Sequence, residues 1–431
     1  MAEINELTAT AVAHKILLGE VTCEELVRAC LERVKQREPV IRAWAYVDAE
    51  AAIRHARELD SAKPNGPLYG IPIGVKDVFD TSEMPTEYNS PIYRNWRPIR
   101  NADCVLRVEQ AGGVILGKTT TSEFAYRYPA PTANPHNTAH TPGGSSSGSA
   151  AAVADFMVPL AIGTQTGAST IRPASFCGIF GFKPSYSRIS FNGGKVLSNS
   201  FDTIGLFARS AEDLALFDSV LTATALPEIS VTHERQLRIG QCESPYWSEA
   251  EESTRNALIS TGSALRSAGV VIEEVRLPEK FKGLADANSL IVAVEATCSL
   301  AHEYANYQNK LSDELRDLIE TGNRARLSDV QEARALIADC CTEIDRFFDQ
   351  FDAILTPSAP GEAPAGLSST GSPIFSRIWT ALYLPCISLP VTRGLKGLPV
   401  GVQIVGRRHS DRHLLGIASR LSSFLLAQGL R

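Results

Sequence analysis

Thr141-Pro142-Gly143-Gly144-Ser145-Ser146-Ser147-Gly148-Ser149-Ala150 is answered downstream by Gly163-Thr164-Gln165-Thr166-Gly167-Ala168-Ser169-Thr170-Ile171-Arg172-Pro173. Two small-residue turns, each carrying serine and separated by a short apolar run, can converge on one point and present hydroxyls and backbone N–H groups there. That combination suits a nucleophile with an oxyanion site. A flexible linker and a phosphate cradle are the other functional readings of a Gly/Ser run. The linker reading sits poorly with Ala150-Ala151-Ala152-Val153-Ala154, a small-residue helix suited to close packing directly behind the loop. A P-loop needs G-x-x-x-x-G-K-[ST], and no lysine follows Gly148; a dinucleotide fingerprint needs a preceding strand and an acidic residue about 20 positions on, and neither is present. A purely structural turn stays open on spacing alone.

Working outward, Thr22-Cys23-Glu24-Glu25 reads as a capping box that starts a helix running to about Arg37. Tyr69-Gly70-Ile71-Pro72-Ile73-Gly74-Val75-Lys76-Asp77 reads as a short buried strand in which Pro72 implies an edge or a bend. Residues 103–111 predict a helix that passes through Gly112-Gly113 into strand Val114-Ile115-Leu116. Beyond the serine block come a small-residue helix over 150–157, a strand over 159–162 and a helix over 213–221. Strands at 237–240 and 270–272 then flank a helix over about 252–267. Residues 285–351 are almost wholly helical in pattern, 353–357 returns as a strand, and a strand at 400–405 and a helix over 411–426 follow. This is an α/β pattern with a mainly helical insertion. The Gly361 to Gly371 stretch lies between core-like segments and carries its own turn chemistry, so a single domain over 1–431 is expected.

With 431 residues and 44% hydrophobic content, the chain can bury a large core. A net charge of −6 without runs of like charge favours neither nucleic acid nor an anionic membrane as partner, which leaves small molecules or proteins. No apolar run approaches the roughly 20 residues that span a bilayer, and the first twenty residues match neither a signal nor a transit peptide. Nine cysteines without C-x-x-C spacing point to a reduced, cytoplasmic protein.

A serine nucleophile needs a base. The eight histidines, His14, His55, His136, His140, His233, His302, His409 and His413, form no H-E-x-x-H or Asp-paired pattern. His136 and His140 precede the serine block and could pass for a base or a metal pair, but no third ligand stands at metal spacing, so loop histidines bonded to backbone are expected. Lys76 is the one cation in the apolar segment 71–78. Burial at a strand end would push its pKa down and make a neutral amine available; alone, such a lysine can equally be a snorkelling residue.

Taken together, Gly70 to Asp77, Pro142 to Ala151, Gly163 to Pro173, Cys177-Gly178 and Gly181-Phe182-Lys183-Pro184 closely resemble the amidase signature family. The resemblance continues through Phe201-Asp202-Thr203-Ile204-Gly205, the 352–357 segment and the 397–406 segment, leaving 238–351 as the least diagnostic part. It implies an amidase signature fold, a large mixed twisted β-sheet surrounded by α-helices. The catalytic core would span 65–210, and a helical insertion over about 285–351 would cover the site. It also implies a Ser, cis-Ser, Lys triad: Ser169 as nucleophile, Ser145 as bridging serine on a cis peptide, and Lys76 as base. Backbone N–H groups of Thr166, Gly167, Ala168 and Ser169 would hold the oxyanion, and no metal or cofactor is implied.

Several positions depart from the commonest family pattern: Gln165 for Asp, Ala168 for Gly, Ser147 for Gly, and Leu206 for Pro. A positive φ at Ala168 would strain the loop. Arg172 stands three residues after the nucleophile rather than two, and with Gln165 and the triple serine this resembles the malonamidase-like branch. That placement implies a fork for a small acid's carboxylate; the alternative is an internal ion pair supporting the loop. Ser146 and Glu123 are further candidate substrate contacts. The expected function is an amidase on small or aryl amides. A carbamate (urethane) or ester hydrolase would use the same acyl-enzyme route. An amidotransferase A-type glutaminase, working inside a tRNA-amidating complex, would need partner chains, and the acidic chain and branch details weigh against it. An inactive binding member is disfavoured because Lys76, Ser145 and Ser169 are all present. A homodimer is compatible with the sequence.

Overall fold

The computed structural model describes residues 3–225 and 236–427, so His233 lies outside the described residues. Strands appear in chain order as β1 (Trp44–Val47), β2 (Pro72–Lys76), β3 (Val114–Thr119), β4 (Leu160–Gln165), β5 (Phe180–Lys183), β6 (Thr203–Ala208), β7 (Arg238–Cys242), β8 (Val271–Val275), β9 (Ala353–Pro357), β10 (Cys386–Arg393) and β11 (Pro399–Val405). They form one mixed sheet in the order β1-β3-β2-β4-β6-β5-β10-β11-β9-β7-β8. The β2/β3, β2/β4, β7/β8 and β7/β9 pairs are parallel, and the remaining neighbours are antiparallel. Helices surround the sheet, and a single apolar core runs along it.

Most expected elements are present, with shifted ends. The capping box is formed, Thr22 accepting from the Glu25 N–H and Glu25 from the Thr22 N–H, but the helix it starts runs through Pro39 to Ile41. Pro72 is neither at an edge nor in a bend: β2 lies between β3 and β4, and Pro72 is its first residue. There the missing N–H costs little, because the ladder bond is carried by Ile71, whose carbonyl accepts from the Val114 N–H. Sequence reading missed β1, β5, β6 and β10. The 285–351 stretch holds four helices, Leu284–Ser299, Ala301–Tyr307, Asp313–Arg324 and Leu327–Phe347, and no strand. Among the described residues no single helix is long and apolar enough to cross a membrane.

Two features bring the serine turns together. The helix Ser147–Ala154, almost entirely buried, packs on β2, β3, β4 and the helix Ile171–Cys177. Only small residues fit there: a Cβ at Gly148 would lie 2.1 Å from the Ala43 carbonyl oxygen. At Gly143, φ is +83° and a Cβ would lie 2.8 Å from Pro173 Cα, so glycine lets the first turn touch the start of the second helix.

Candidate active site

Lys76 is the last residue of β2, and Ser169 lies on the loop that leaves the neighbouring parallel strand β4. Both therefore emerge at the carboxyl ends of adjacent parallel strands, where open α/β sheets place their ligands. Lys76 is fully buried; its Nζ lies 2.8 Å from Ser145 Oγ and 2.6 Å from Thr164 Oγ1. Burial pushes its pKa down to about 7, against a small opposing pull from Asp202. Asp202 is itself driven up to about 6 by burial, while bonds from Thr166 Oγ1 (2.6 Å) and the N–H groups of Leu197 and Ser198 favour its ionised form. The Gly144–Ser145 peptide bond is cis.

Ser169 lines a cavity of about 440 Å3 together with Thr166, Gly167 and Ala168. Among the described residues its hydroxyl has no hydrogen-bond partner, and the N–H groups of Gly167, Ala168 and Ser169 meet no protein acceptor. Three consecutive free donors beside an unbonded hydroxyl can receive a carbonyl oxygen that gains negative charge. Ala168 lies outside the left-handed region, so its Cβ adds no backbone strain.

The unusual Gln165 holds this loop from within. Its Oε1 accepts from Thr170 N (2.9 Å) and Ile171 N (3.0 Å), and its Nε2 donates to Thr380 Oγ1, which donates to the Gly167 carbonyl at 2.7 Å. An aspartate could accept those two N–H bonds but could not donate to Thr380. Ser147 Oγ donates to the Gly143 carbonyl at 2.8 Å, a bond no glycine could make. Leu206 sits inside β6, paired with Ile162 and Phe182.

Three expected substrate contacts are placed differently. Ser146 is buried, bonded through Oγ to both the carbonyl and the N–H of Thr164, and it is absent from the cavity lining. Glu123 is also buried away from the cavity, accepting from Ser90 Oγ and the Ser312 N–H. Arg172 does reach the lining, but its guanidinium donates to the carbonyls of Gly144 and Gly371 and to Thr370 Oγ1. It braces two loops, and the partner is a set of carbonyls rather than a carboxylate. His136 and His140 each bond a backbone carbonyl, of Cys177 and Ala363.

Sequence reasoning missed Thr164, Thr380, Arg127 and Arg377. The helices Leu284–Ser299 and Asp313–Arg324 supply Asn288, Ser289, Val292, Glu314 and Leu318 to the lining, and 368–373 closes another side. Of the loops expected to line it, 125–137 contributes Ala125, Tyr126 and Arg127, while 85–97 contributes nothing.

Residues 25–415 match the Amidase family. The chain belongs to that family, the amidase signature enzymes, which act on C–N bonds. It is 34% identical to the A-type chain of the glutamyl-tRNA(Gln) amidotransferase of Chloroflexus aggregans, over 97% of this chain and 96% of that one. Among solved structures it resembles an amidase at 27% identity and a TM-score of 0.89, covering 99% of this chain and 100% of that one. It also resembles the peptide amidase of Stenotrophomonas maltophilia at 27% identity and a TM-score of 0.83, covering 97% and 96%.

Proposed function

We propose that this protein hydrolyses small amides through an acyl-enzyme on Ser169. The observation that carries the reading is the buried Lys76 amine, pushed to about 7 and 2.8 Å from Ser145, at the wall that presents Ser169 and three free N–H groups. Neutral Lys76 takes the Ser145 proton while Ser145 takes that of Ser169. Ser169 Oγ then bonds the acyl carbon, and the oxyanion rests on the Gly167, Ala168 and Ser169 N–H groups. The relay returns the proton to the leaving nitrogen as the C–N bond breaks, and water, deprotonated along the same path, releases the acid. Carbamates and esters would follow the same path. Mass spectrometry after mixing with a slow aryl ester tests this: an adduct is expected on Ser169 and none on Ser169→Ala. An unmodified Ser169 with intact turnover refutes it.

A second reading, glutamine hydrolysis within a tRNA-amidating complex, is favoured by the glutamyl-tRNA(Gln) amidotransferase relatives. Glutamine is a small amide, so the two readings share their chemistry. Ammonia release from glutamine by the chain alone, and with partner chains and charged tRNA, separates them. Activity that requires the partners selects the second. The nine free cysteines support a reduced, cytoplasmic setting; sedimentation would decide between monomer and homodimer.

A further inference from the structure

Three guanidiniums, of Arg127, Arg172 and Arg377, line the cavity that holds Ser169. Among the described residues none of the three makes an ion pair. Glu314, on the same lining, stands beyond ion-pair distance of all of them, as does Asp286, the acid whose field reaches Arg377. Arg172 has spent its terminal donors on loop carbonyls and Thr370, but Arg377 has not. Its Nη1 donates to Ser289 Oγ at 2.6 Å, while its Nε is buried without any partner. Arg377 also lies directly over the oxyanion loop, because a Cβ at Gly167 would stand 3.5 Å from Nε and 4.0 Å from Nη2. Arg127 is exposed at the rim, held only by stacking near Tyr126.

Burying a donor of a charged group without an acceptor is costly, and cations that face one another without counter-charge add to that cost. Burial, and after it the field of Arg127, pushes the Arg377 pKa down, and both neighbours do the same to Arg172. A planar two-oxygen anion would satisfy the unpaired Nε edge and the net positive charge together. We infer that the substrate carries a carboxylate beyond its scissile amide, and that Arg377, helped by Arg127, binds it, while Arg172 braces the loops. This rests on the hydrolase reading above and names the substrate class for that site.

The test is ammonia release from matched amides: malonamate, succinamate and glutaramate against propionamide, butyramide and valeramide. The anionic member of at least one pair should show a kcat/KM roughly 30-fold or more above its neutral mate, and Arg377→Met should erase that ratio. Arg127→Met, at an exposed site that folding tolerates, should lower the ratio by about threefold to fivefold, and keeps the idea testable if Arg377→Met does not fold. Added salt should raise KM for the anionic amides alone. Neutral amides preferred in the wild type, or a ratio unmoved by both substitutions, overturns the inference. A fluorophosphonate probe separates the two levels. Ser169 labelled and neutral amides cleaved as fast as anionic ones sinks the carboxylate site alone, whereas no labelling and no ammonia from any amide sinks the hydrolase reading with it.

Discussion

The pH dependence of turnover follows from the burial of one amine. An ordinary lysine, with a pKa near 10.4, is neutral at pH 7 in only about 4 molecules in 10,000. In the site Lys76 is brought to about 7 by burial, so about half the molecules carry the reactive amine, a gain of roughly a thousandfold. The sign is fixed by which form reacts: the base must be neutral, so kcat/KM rises with pH through about 7 and levels above it. The neutral fraction climbs from about 1% at pH 5 to about 90% at pH 8, so the rate should climb roughly 90-fold over that range. Initial rates of ammonia release on one amide, at constant ionic strength, give the profile. Asp202→Asn identifies the titrating group. The Asp202 charge holds the Lys76 pKa up, so its removal should move the rising limb to lower pH. A limb centred near 10, a profile flat from pH 5 to 9 with chemistry limiting, or an alkaline shift in Asp202→Asn would each refute the argument.

Other substitutions probe the frame. Gln165→Leu strands the N–H groups of Thr170 and Ile171 and frees Thr380, so urea unfolding should show a loss of about 2–4 kcal/mol with a fall in kcat; Gln165→Glu, which keeps both acceptors, should recover most of the stability. Arg172→Met should lower kcat on acidic and neutral amides by the same factor, because its donors hold Gly144, Thr370 and Gly371; a loss confined to acidic amides would return it to substrate recognition. Gly148→Ala should destabilise by about 3 kcal/mol or prevent folding, since its Cβ would meet the Ala43 carbonyl at 2.1 Å and Thr120 N at 2.4 Å, both backbone; thermal melting within a degree of wild type would show that the packing is looser than described.

Local chemistry made part of this legible. The capping box at Thr22, the apolar run of β2 and β3, and the helical stretch after 284 are signalled by neighbours in sequence. β6 was not, because Thr203–Ala208 is buried on both faces and shows no alternation. β10 was disguised by Pro390, which sits opposite Gly401 beside a shift in register. For the site, Lys76 stands out as a cation in an apolar strand, whereas Ser146 and Glu123 looked available only because hydroxyls and carboxylates look alike until their partners are known. Arg377 had no signal at all: it lies more than 200 residues from Ser169, in a helix whose own pattern is ordinary, and only the sheet order brings them together.

That separation bears on how specificity can change in this chain. The proposed chemistry is held by adjacent strands, β2 and β4, and by the loops leaving them, while the acid-recognising side comes from Arg377 and the 368–373 turn. Arg172 joins the two, since one guanidinium holds the Gly144 carbonyl beside Ser145 and the Gly371 carbonyl on the lining. Gln165 and Thr380 join them a second time through the Gly167 carbonyl. A change in the 368–373 turn that reshapes the cavity therefore pulls on Ser145 through Arg172, and a shift of the 374–381 helix pulls on the oxyanion loop through Thr380. Substitutions at Arg377 and Arg127 act on the substrate alone, because neither bonds the relay or the N–H donors. Those two positions, rather than the glycine-rich turn beside them, are where substrate preference can be altered with the relay left in place.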